Sequence, residues 1–174
     1  MTALERQSLT LEIPVTLRIA AAEDLPKLEW NGQYQHFRNM FRRTFHEQQA
    51  GRRLMLLADF NNFPIGHIFI QLRAANRRRP RAYFYSFRVM EVFRRQGIGT
   101  WLLTNAEAIA YDRGLRRAAI AVAKDNADAR RLYERLGYQV YGDDTGQWSY
   151  VDHRGRVCHV SEPCWLLEKK LNLR

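Results

Sequence analysis

The pattern of apolar and polar residues predicts four β-strands in the first half of the chain, and the first of them alternates as a half-buried strand does. These strands are residues 15–20, 54–59, 65–73 and 82–89. The second and third flank an Asn-Asn-Phe-Pro sequence at 61–64, which predicts a hairpin turn between them. The fourth is rich in aromatic and β-branched residues and continues the antiparallel meander.

Helical spacing of apolar residues predicts four helices around these strands. The first begins at Glu23, with acidic residues in its first turn, and the second covers residues 30–49. Core packing explains the apolar stripe of the second helix better than a substrate cage does; the stripe comprises Tyr34, Phe37, Met40, Phe41 and Phe45. A third helix follows the strand 82–89, with one apolar face formed by Ile98, Leu102, Ala106 and Ile109. A fourth extends from Asn126 to Gly137.

Three further strands complete the prediction: residues 118–122, 138–141 and 164–171, the last of which closes the sheet. Residues 142–162 are polar and predict no regular element. Since no linker or repeat interrupts the pattern, we expect a single domain over residues 1–174, with residues 1–11 as a flexible N-terminal extension.

Composition agrees with a globular protein, since 46% of the 174 residues are hydrophobic and 12% are aromatic. No apolar run reaches membrane-spanning length and no signal peptide opens the chain, so we expect a cytoplasmic location and no membrane partner. Cys158 and Cys164 are the only cysteines, and neither a Cys-x-x-Cys motif nor a histidine cluster is present. The sequence therefore predicts reduced thiols and no metal site.

The formal net charge of +10 comes mostly from arginine and favours anionic partners. A phosphorylated cofactor is one such partner, and RNA or an acidic protein surface is another. The densest basic run, Arg-Arg-Arg-Pro-Arg at 77–81, lies in the turn between two predicted strands. A solvated hairpin tip explains it better than a nucleic-acid contact, because no aromatic residues interleave the arginines.

A short loop before the third helix has the composition of an anion site. Arg94-Arg95-Gln96-Gly97-Ile98-Gly99 places two glycines where the helix begins, so that unpaired amides and the helix dipole can meet a phosphate. The third glycine of a dinucleotide fingerprint is missing, and no Gly-Lys-Ser/Thr follows as a Walker loop requires. The alternative interpretation is an ordinary turn with solvated arginines.

The fourth helix carries a second pattern. Asn126 is a favourable N-cap, and Gly137 stands where a left-handed C-cap is expected. Together, Val89-x4-Arg94-x2-Gly97-x-Gly99 and Asn126-x2-Ala-x2-Leu-Tyr-Glu-x2-Gly137-Tyr138 resemble the two central motifs of the GNAT superfamily of acyl-CoA-dependent N-acetyltransferases. The order and separation of the motifs match as well. Glu91 stands where many members of the family have proline.

The resemblance implies an α/β (α+β) fold: a mixed, mostly antiparallel sheet of about seven strands, with a splayed parallel pair at its centre and about four flanking helices. The pair would be the strand ending at Val89 and the strand 118–122, and the pantetheine arm of acetyl-CoA would enter between them. Backbone groups near Val89 would hold that arm and support the developing oxyanion. The pyrophosphate would meet the amides of Arg94, Arg95, Gln96, Gly97, Ile98, Gly99 and Thr100.

In the second motif, the resemblance implies that Tyr133 is the catalytic acid beside the sulfur, although a packed structural tyrosine is the alternative. Asn126 caps its helix and would touch the pantetheine. No general base can be assigned, and a water chain is as acceptable as any of six candidate side chains: Glu29, Glu47, Asp152, His153, His159 and Glu162. His67 is interpreted as a structural strand residue.

The function implied is direct transfer of an acetyl group from acetyl-CoA to a primary amine of a small molecule or protein. Two alternatives remain: a non-catalytic acyl-CoA-binding regulator, and an RNA- or ribosome-associated protein that uses its arginine-rich surface. The sequence leaves open the acceptor amine, the preferred acyl chain, and whether the chain is a monomer or a homodimer.

Overall fold

The computed structural model describes residues 9–72 and 80–172, which form a seven-stranded sheet, a separate two-stranded hairpin and three α-helices. The α-helices are α1 (Arg38–Gln49), α2 (Ile98–Asp112) and α3 (Ala127–Arg135). The strands are β1 (Thr16–Ile19), β2 (Arg53–Phe60), β3 (Phe63–Gln71), β4 (Ala82–Val89), β5 (Arg117–Ala123), β6 (Gln139–Asp144), β7 (Gln147–Val151), β8 (Val157–Ser161) and β9 (Cys164–Lys170). Short 3-10 turns at Ala22–Asp24, Lys27–Glu29, Gln35–Phe37 and Glu91–Phe93 complete the described elements.

The large sheet has the strand order β1-β2-β3-β4-β5-β9-β6. Neighbouring strands are antiparallel except for β4 and β5, which are parallel and lie at the centre. The predicted fold class is therefore confirmed. One detail differs, because β9 inserts between β5 and β6 and leaves β6 at the edge, where the sequence analysis expected the last strand to close the sheet.

Two apolar clusters cover the two faces of the sheet. The larger one packs α2 and the apolar side chains of α3 onto β3, β4 and β5, with Leu102 and Phe84 fully buried. The smaller one packs α1 and the 3-10 turns onto β2 and β3 through Phe41 and Phe69. The turn between β2 and β3 confirms the predicted hairpin, since Asn61 and Asn62 both have positive φ angles, as a tight turn of this kind requires.

The first helical region differs from the prediction. Residues 23–29 form two 3-10 turns, and the α-helix predicted to start at Trp30 starts at Arg38. The cause is a left-handed stretch at Trp30, Asn31 and Gly32, with φ angles of 44°, 56° and 96°. The buried Trp30 donates its indole N–H to the Pro64 carbonyl at 2.8 Å, a tertiary contact that the local sequence does not reveal.

The segment predicted to lack regular structure contains the hairpin of β7 and β8. Both strands are mostly exposed and short, and they lie in a segment whose other residues are mostly polar, so no buried apolar run marks them in the sequence. One side of the hairpin packs on the turn before α1: the Tyr150 ring lies 4.9 Å from the Phe37 ring, and the Asn39 amide donates to the Asp152 carbonyl. The hairpin therefore packs against the beginning of α1.

The remaining predictions concern a histidine, the two cysteines, the basic run and the N-terminal extension. His67 is fully buried on β3, as expected of a structural histidine. Cys158 and Cys164 are both free thiols. Of the basic run at 77–81, residues 77–79 lie outside the described part of the chain, whereas Arg81 lies 3.3 Å from a Glu168 carboxylate oxygen. Residues 1–8 of the predicted N-terminal extension also lie outside the described part.

We expect Arg18→Met to lower the free energy of unfolding by about 3 kcal/mol, because the Arg18 guanidinium pairs with two buried carboxylates. It lies 2.5 Å from an Asp24 oxygen and 2.6 Å from an Asp59 oxygen. Burial raises the pKa of Asp24, but the bonds from Arg18 and the Ala21 amide outweigh burial and lower it. Urea unfolding at neutral pH measures the loss. The exposed Arg43→Met is the control, and a loss below about 1 kcal/mol for Arg18→Met would contradict the expectation.

Candidate active site

β4 and β5 pair over only part of their length. Ala82, Tyr83 and Phe84 pair with residues 118–120, and beyond them the two strands diverge. A cleft of about 970 Å³ opens at this point, with residues 85–89 on one side and residues 120–123 on the other. Backbone groups on the facing sides of the two strands thus lack a strand partner, which is the arrangement that accepts an extended ligand.

A β-bulge in β4 changes the direction of its side chains beside this cleft. His67 pairs with Arg88 and Phe69 with Tyr85, so two steps along β3 correspond to three along β4. Ser86 lies in the bulge, with a φ angle of 48°. Because of the extra residue, the side chains that follow it point to the opposite faces of the sheet from those that regular alternation would give. β-Bulges often redirect side chains in this way beside functional sites.

The loop between β4 and α2 presents a row of free backbone amides. None of the amides of residues 95–100 donates to an oxygen of another residue in the described part of the chain, and the first helical bond is from Trp101 to Gly97. Arg95 and Gly97 have φ angles of 61° and 83°, which turn the chain sharply into α2. Amides grouped in this way at a helix N-terminus form a site for a phosphate or pyrophosphate.

Arginines surround the same end of the cleft. Arg94 and Arg95, which the sequence analysis proposed, line it together with Arg131 and Arg135 of α3, which that analysis missed. The spacing of four between Arg131 and Arg135 places both on one helical face, a signal that was available in the sequence. Arg94 also donates its Nε to the Val89 carbonyl at 3.0 Å, which ties the loop to the end of β4.

The predicted cofactor-binding residues divide into two groups. Val89, Arg94, Arg95, Gly97, Gly99, Thr100 and Asn126 line the cleft. Gln96 and Ile98 do not, and their side chains line a separate groove on the other side of the loop with Val92 and Trp101. Any contribution of Gln96 and Ile98 to the cleft therefore comes from their backbone amides.

Tyr133 reaches the cleft from α3. Asn126 begins this helix by accepting a hydrogen bond from the Ala129 amide at 3.1 Å, and Gly137 ends it with a φ angle of 92°. The Tyr133 ring is buried 6.2 Å from the Phe87 ring of β4, and its hydroxyl makes no hydrogen bond within the described residues. Burial, and secondarily the charge of Tyr83, raises the pKa of Tyr133 above its ordinary value, so the hydroxyl stays protonated at neutral pH.

Two of the candidate general bases are engaged in ion pairs. Arg38 donates two hydrogen bonds to Glu29 and lowers the pKa of that carboxyl. Arg52 does the same for Glu47. A carboxylate whose pKa is lowered is a weak base, and neither residue lines the cleft.

The remaining candidates differ in position. Asp152 accepts bonds from the amides of residues 154 and 156, and its pKa falls to about 2, first because of the Arg156 amide. His153 contacts the Gln35 amide, and His159 is exposed on β8. Glu162 follows β8 and is the only one of the six candidates that lines the cleft.

Comparison with known proteins identifies the family. Residues 19–138 match the model of the acetyltransferase (GNAT) family. The chain belongs to this family. The match extends from the last residue of β1 to the residue before β6, so it contains both cleft strands, the amide loop and Tyr133. A search of the curated proteins gave no match for this GNAT protein.

Solved structures share the fold of this GNAT protein at low identity. The ribosomal-protein-S18-alanine N-acetyltransferase from Escherichia coli matches with a TM-score of 0.68 and 21% identity, covering 92% of this chain and 96% of that one. A putative acetyltransferase from Salmonella typhimurium, solved with its cofactor acetyl-CoA, matches with a TM-score of 0.68, 17% identity and coverages of 92% and 96%. The PaiA N-acetyltransferase from Thermoplasma acidophilum, in complex with coenzyme A, matches with a TM-score of 0.70 and 18% identity, covering 91% of this chain and 99% of that one.

Among residues 9–72 and 80–172, no group of three or more His, Cys, Asp or Glu side chains is arranged to hold a metal ion. Within the same residues, no helix is both long enough and apolar enough to cross a membrane.

Proposed function

We propose that this protein transfers an acetyl group from acetyl-CoA directly to a primary amine. The observation that carries the proposal is one continuous cleft that joins three features: unpaired strand backbone, the free amides of residues 95–100, and the Tyr133 hydroxyl. Membership in an acetyltransferase family supports the reaction class. The solved relatives with acetyl-CoA or coenzyme A support the choice of cosubstrate.

The residues of the cleft fit the parts of acetyl-CoA in order. The free amides, with Arg94 and Arg95, provide donors and positive charge for the pyrophosphate. The open side of β4 near Val89 provides backbone partners for the pantetheine arm. Acetyl-CoA, when bound, supplies the acetyl group as a thioester. Asn126 keeps α3 in place through its cap and lies at the same cleft.

Tyr133 is proposed as the catalytic acid that holds a proton for the departing sulfur. Its raised pKa suits this role, because the group must be protonated when the reaction begins. An acceptor amine must in turn be neutral to attack, whereas a lysine side chain has a reference pKa of about 10.4 and an α-amine one of about 8. Glu162 is the candidate for removing that proton, directly or through water.

Binding by calorimetry tests the cofactor half of the proposal. We expect acetyl-CoA to bind with one molecule per chain, and acetyl-pantetheine, which lacks the pyrophosphate, to bind at least tenfold more weakly, because it forgoes the amides and arginines of the loop. Release of free thiol in the presence of a panel of amines then measures transfer. If neither acetyl-CoA nor coenzyme A binds, the proposal is wrong.

A further inference from the structure

Arg88 occupies an unusual position beside the cleft. The bulge in β4 directs its side chain toward the 3-10 turn before α1, where its guanidinium lies 4.6 Å from the centre of the Tyr34 ring and 5.2 Å from that of Phe37. Arg88 also lines the cleft. It therefore belongs to the half of the cleft that borders α1 and the β7–β8 hairpin.

The charge of Arg88 has no close anionic partner. Within the described residues, no carboxylate lies within 4 Å of its guanidinium. Its hydrogen bonds are from Nη1 to the Ser86 hydroxyl at 2.6 Å and to His67 Nε2 at 3.5 Å. Burial lowers the pKa of Arg88, while Tyr34 and the more distant Glu162 carboxylate raise it. Burial also lowers the pKa of His67, so this histidine is neutral and adds no second positive charge.

A partly buried arginine without a counter-ion costs free energy that a protein recovers when an anion binds. Two other arginines near α1 and β2 are paired, Arg38 with Glu29 and Arg52 with Glu47. The two aromatic rings hold the Arg88 guanidinium in place, which suits a planar group that recognises a carboxylate through two parallel bonds. The arrangement is that of a prepared anion receptor.

Glu162 supplies the complementary charge in the same cleft. It lines the cleft with Arg88, yet its carboxylate is not within ion-pair distance of the guanidinium. An acceptor that carries both an amine and a carboxylate can place its amine at Glu162 and its carboxylate at Arg88. A peptide N-terminus or a polyamine has no carboxylate next to its amine and leaves Arg88 unpaired.

We infer that the acceptor is a small amine that also bears a free carboxylate, as in a free amino acid, and that Arg88 binds this carboxylate. The inference rests on the proposed acetyl transfer and narrows it to one substrate class. Arg88 acts as a specificity-determining residue, and the acetyl-CoA half of the cleft does not depend on it.

The experiment compares each free amino acid with its own carboxamide as acceptor, because the pair differs at the carboxyl group and keeps the side chain. For the wild type, we expect kcat/KM to be about 10- to 100-fold higher for the free acid, the ratio that one charge-assisted pair provides. Arg88→Gln is expected to reduce that ratio to near one, and Arg88→Lys to restore part of it. If Arg88 had only a structural role, Arg88→Gln would lower kcat/KM equally for both acceptors and leave their ratio unchanged.

Arg38→Gln serves as the matched control, since Arg38 is also near α1 but is already paired with Glu29; its ratio should remain that of the wild type. Acetyl-CoA titration of each variant verifies that the cleft is still assembled. Acetyl-CoA binding together with equal or better transfer to carboxamides, peptides or polyamines overturns the inference and leaves the proposed function standing. Absence of acetyl-CoA binding to the wild type overturns both.

Discussion

Replacing Gly99 with tryptophan is expected to weaken acetyl-CoA binding by at least about 100-fold, or some 2.7 kcal/mol, while the fold remains intact. A Cβ atom at Gly99 would lie 3.7 Å from the nearest side-chain atoms of Leu132 and Phe87, and 3.9 Å from that of Val89. A methyl group therefore fits, but the three side chains leave no room for a larger group on their side. The indole must project into the cleft and occupy the volume between β4 and α3 that the pantetheine and pyrophosphate require.

Two variants separate blockage from general damage. Gly99→Ala should bind acetyl-CoA as the wild type does, because its Cβ meets ordinary contact distances and Gly99 does not have a positive φ angle. Ala108→Trp places the same side chain on the exposed face of α2 and should also bind normally. Calorimetry gives the affinities, and thermal unfolding verifies the fold. Wild-type affinity in Gly99→Trp would locate the ligand elsewhere.

Tyr133→Phe is expected to lower kcat by about 100-fold or more, the contribution of a well-placed general acid, with little change in acetyl-CoA affinity. The change removes only the hydroxyl, and the buried ring keeps its contact with Phe87. The raised pKa keeps Tyr133 protonated well into the basic range. Deprotonation of Tyr133 should therefore not lower the wild-type kcat between neutral pH and about pH 10.

Tyr138→Phe is the matched control, because its ring is also buried and lies 6.1 Å from the Tyr133 ring, yet it does not line the cleft. Its kcat should remain near the wild-type value. Steady-state thiol release measures kcat for both variants, and calorimetry measures affinity. An unchanged kcat in Tyr133→Phe would assign the proton to water, and lost affinity would instead indicate a structural role.

The fold could be predicted largely from the sequence, because its signals are local and periodic. Strands β2 to β5 alternate or run apolar as buried strands do, and the helix after Asn126 begins with its own cap. The two motifs sufficed to identify the family, which the family model confirms. The delayed start of α1 was not visible, because the bond from Trp30 to the Pro64 carbonyl joins positions 34 residues apart.

The candidate site was predictable where it depends on backbone and unpredictable where it depends on long-range geometry. The glycines of the loop indicated the free amides directly, and those assignments remain predictions until the variants are measured. The bulge at Ser86 leaves no mark in the sequence, so the direction of Arg88 could not be inferred. The hairpin of β7 and β8 was not predicted because its strands are exposed. For the same reason, the position of Glu162, which follows β8, could not be predicted.

The short pairing between β4 and β5 affects how cooperatively the protein unfolds. In the sheet itself, only three residue pairs join a four-stranded unit, β1 to β4, to a three-stranded unit formed by β5, β9 and β6, and the apolar core beneath them spans both units. So short a pairing allows the two units to separate locally at a lower free energy than global unfolding requires. A ligand that bonds to both edges adds its binding free energy to the link, about 2.7 kcal/mol at a concentration of 100 times Kd. Acetyl-CoA would then act as a missing strand, and we expect the two units to unfold more cooperatively in its presence.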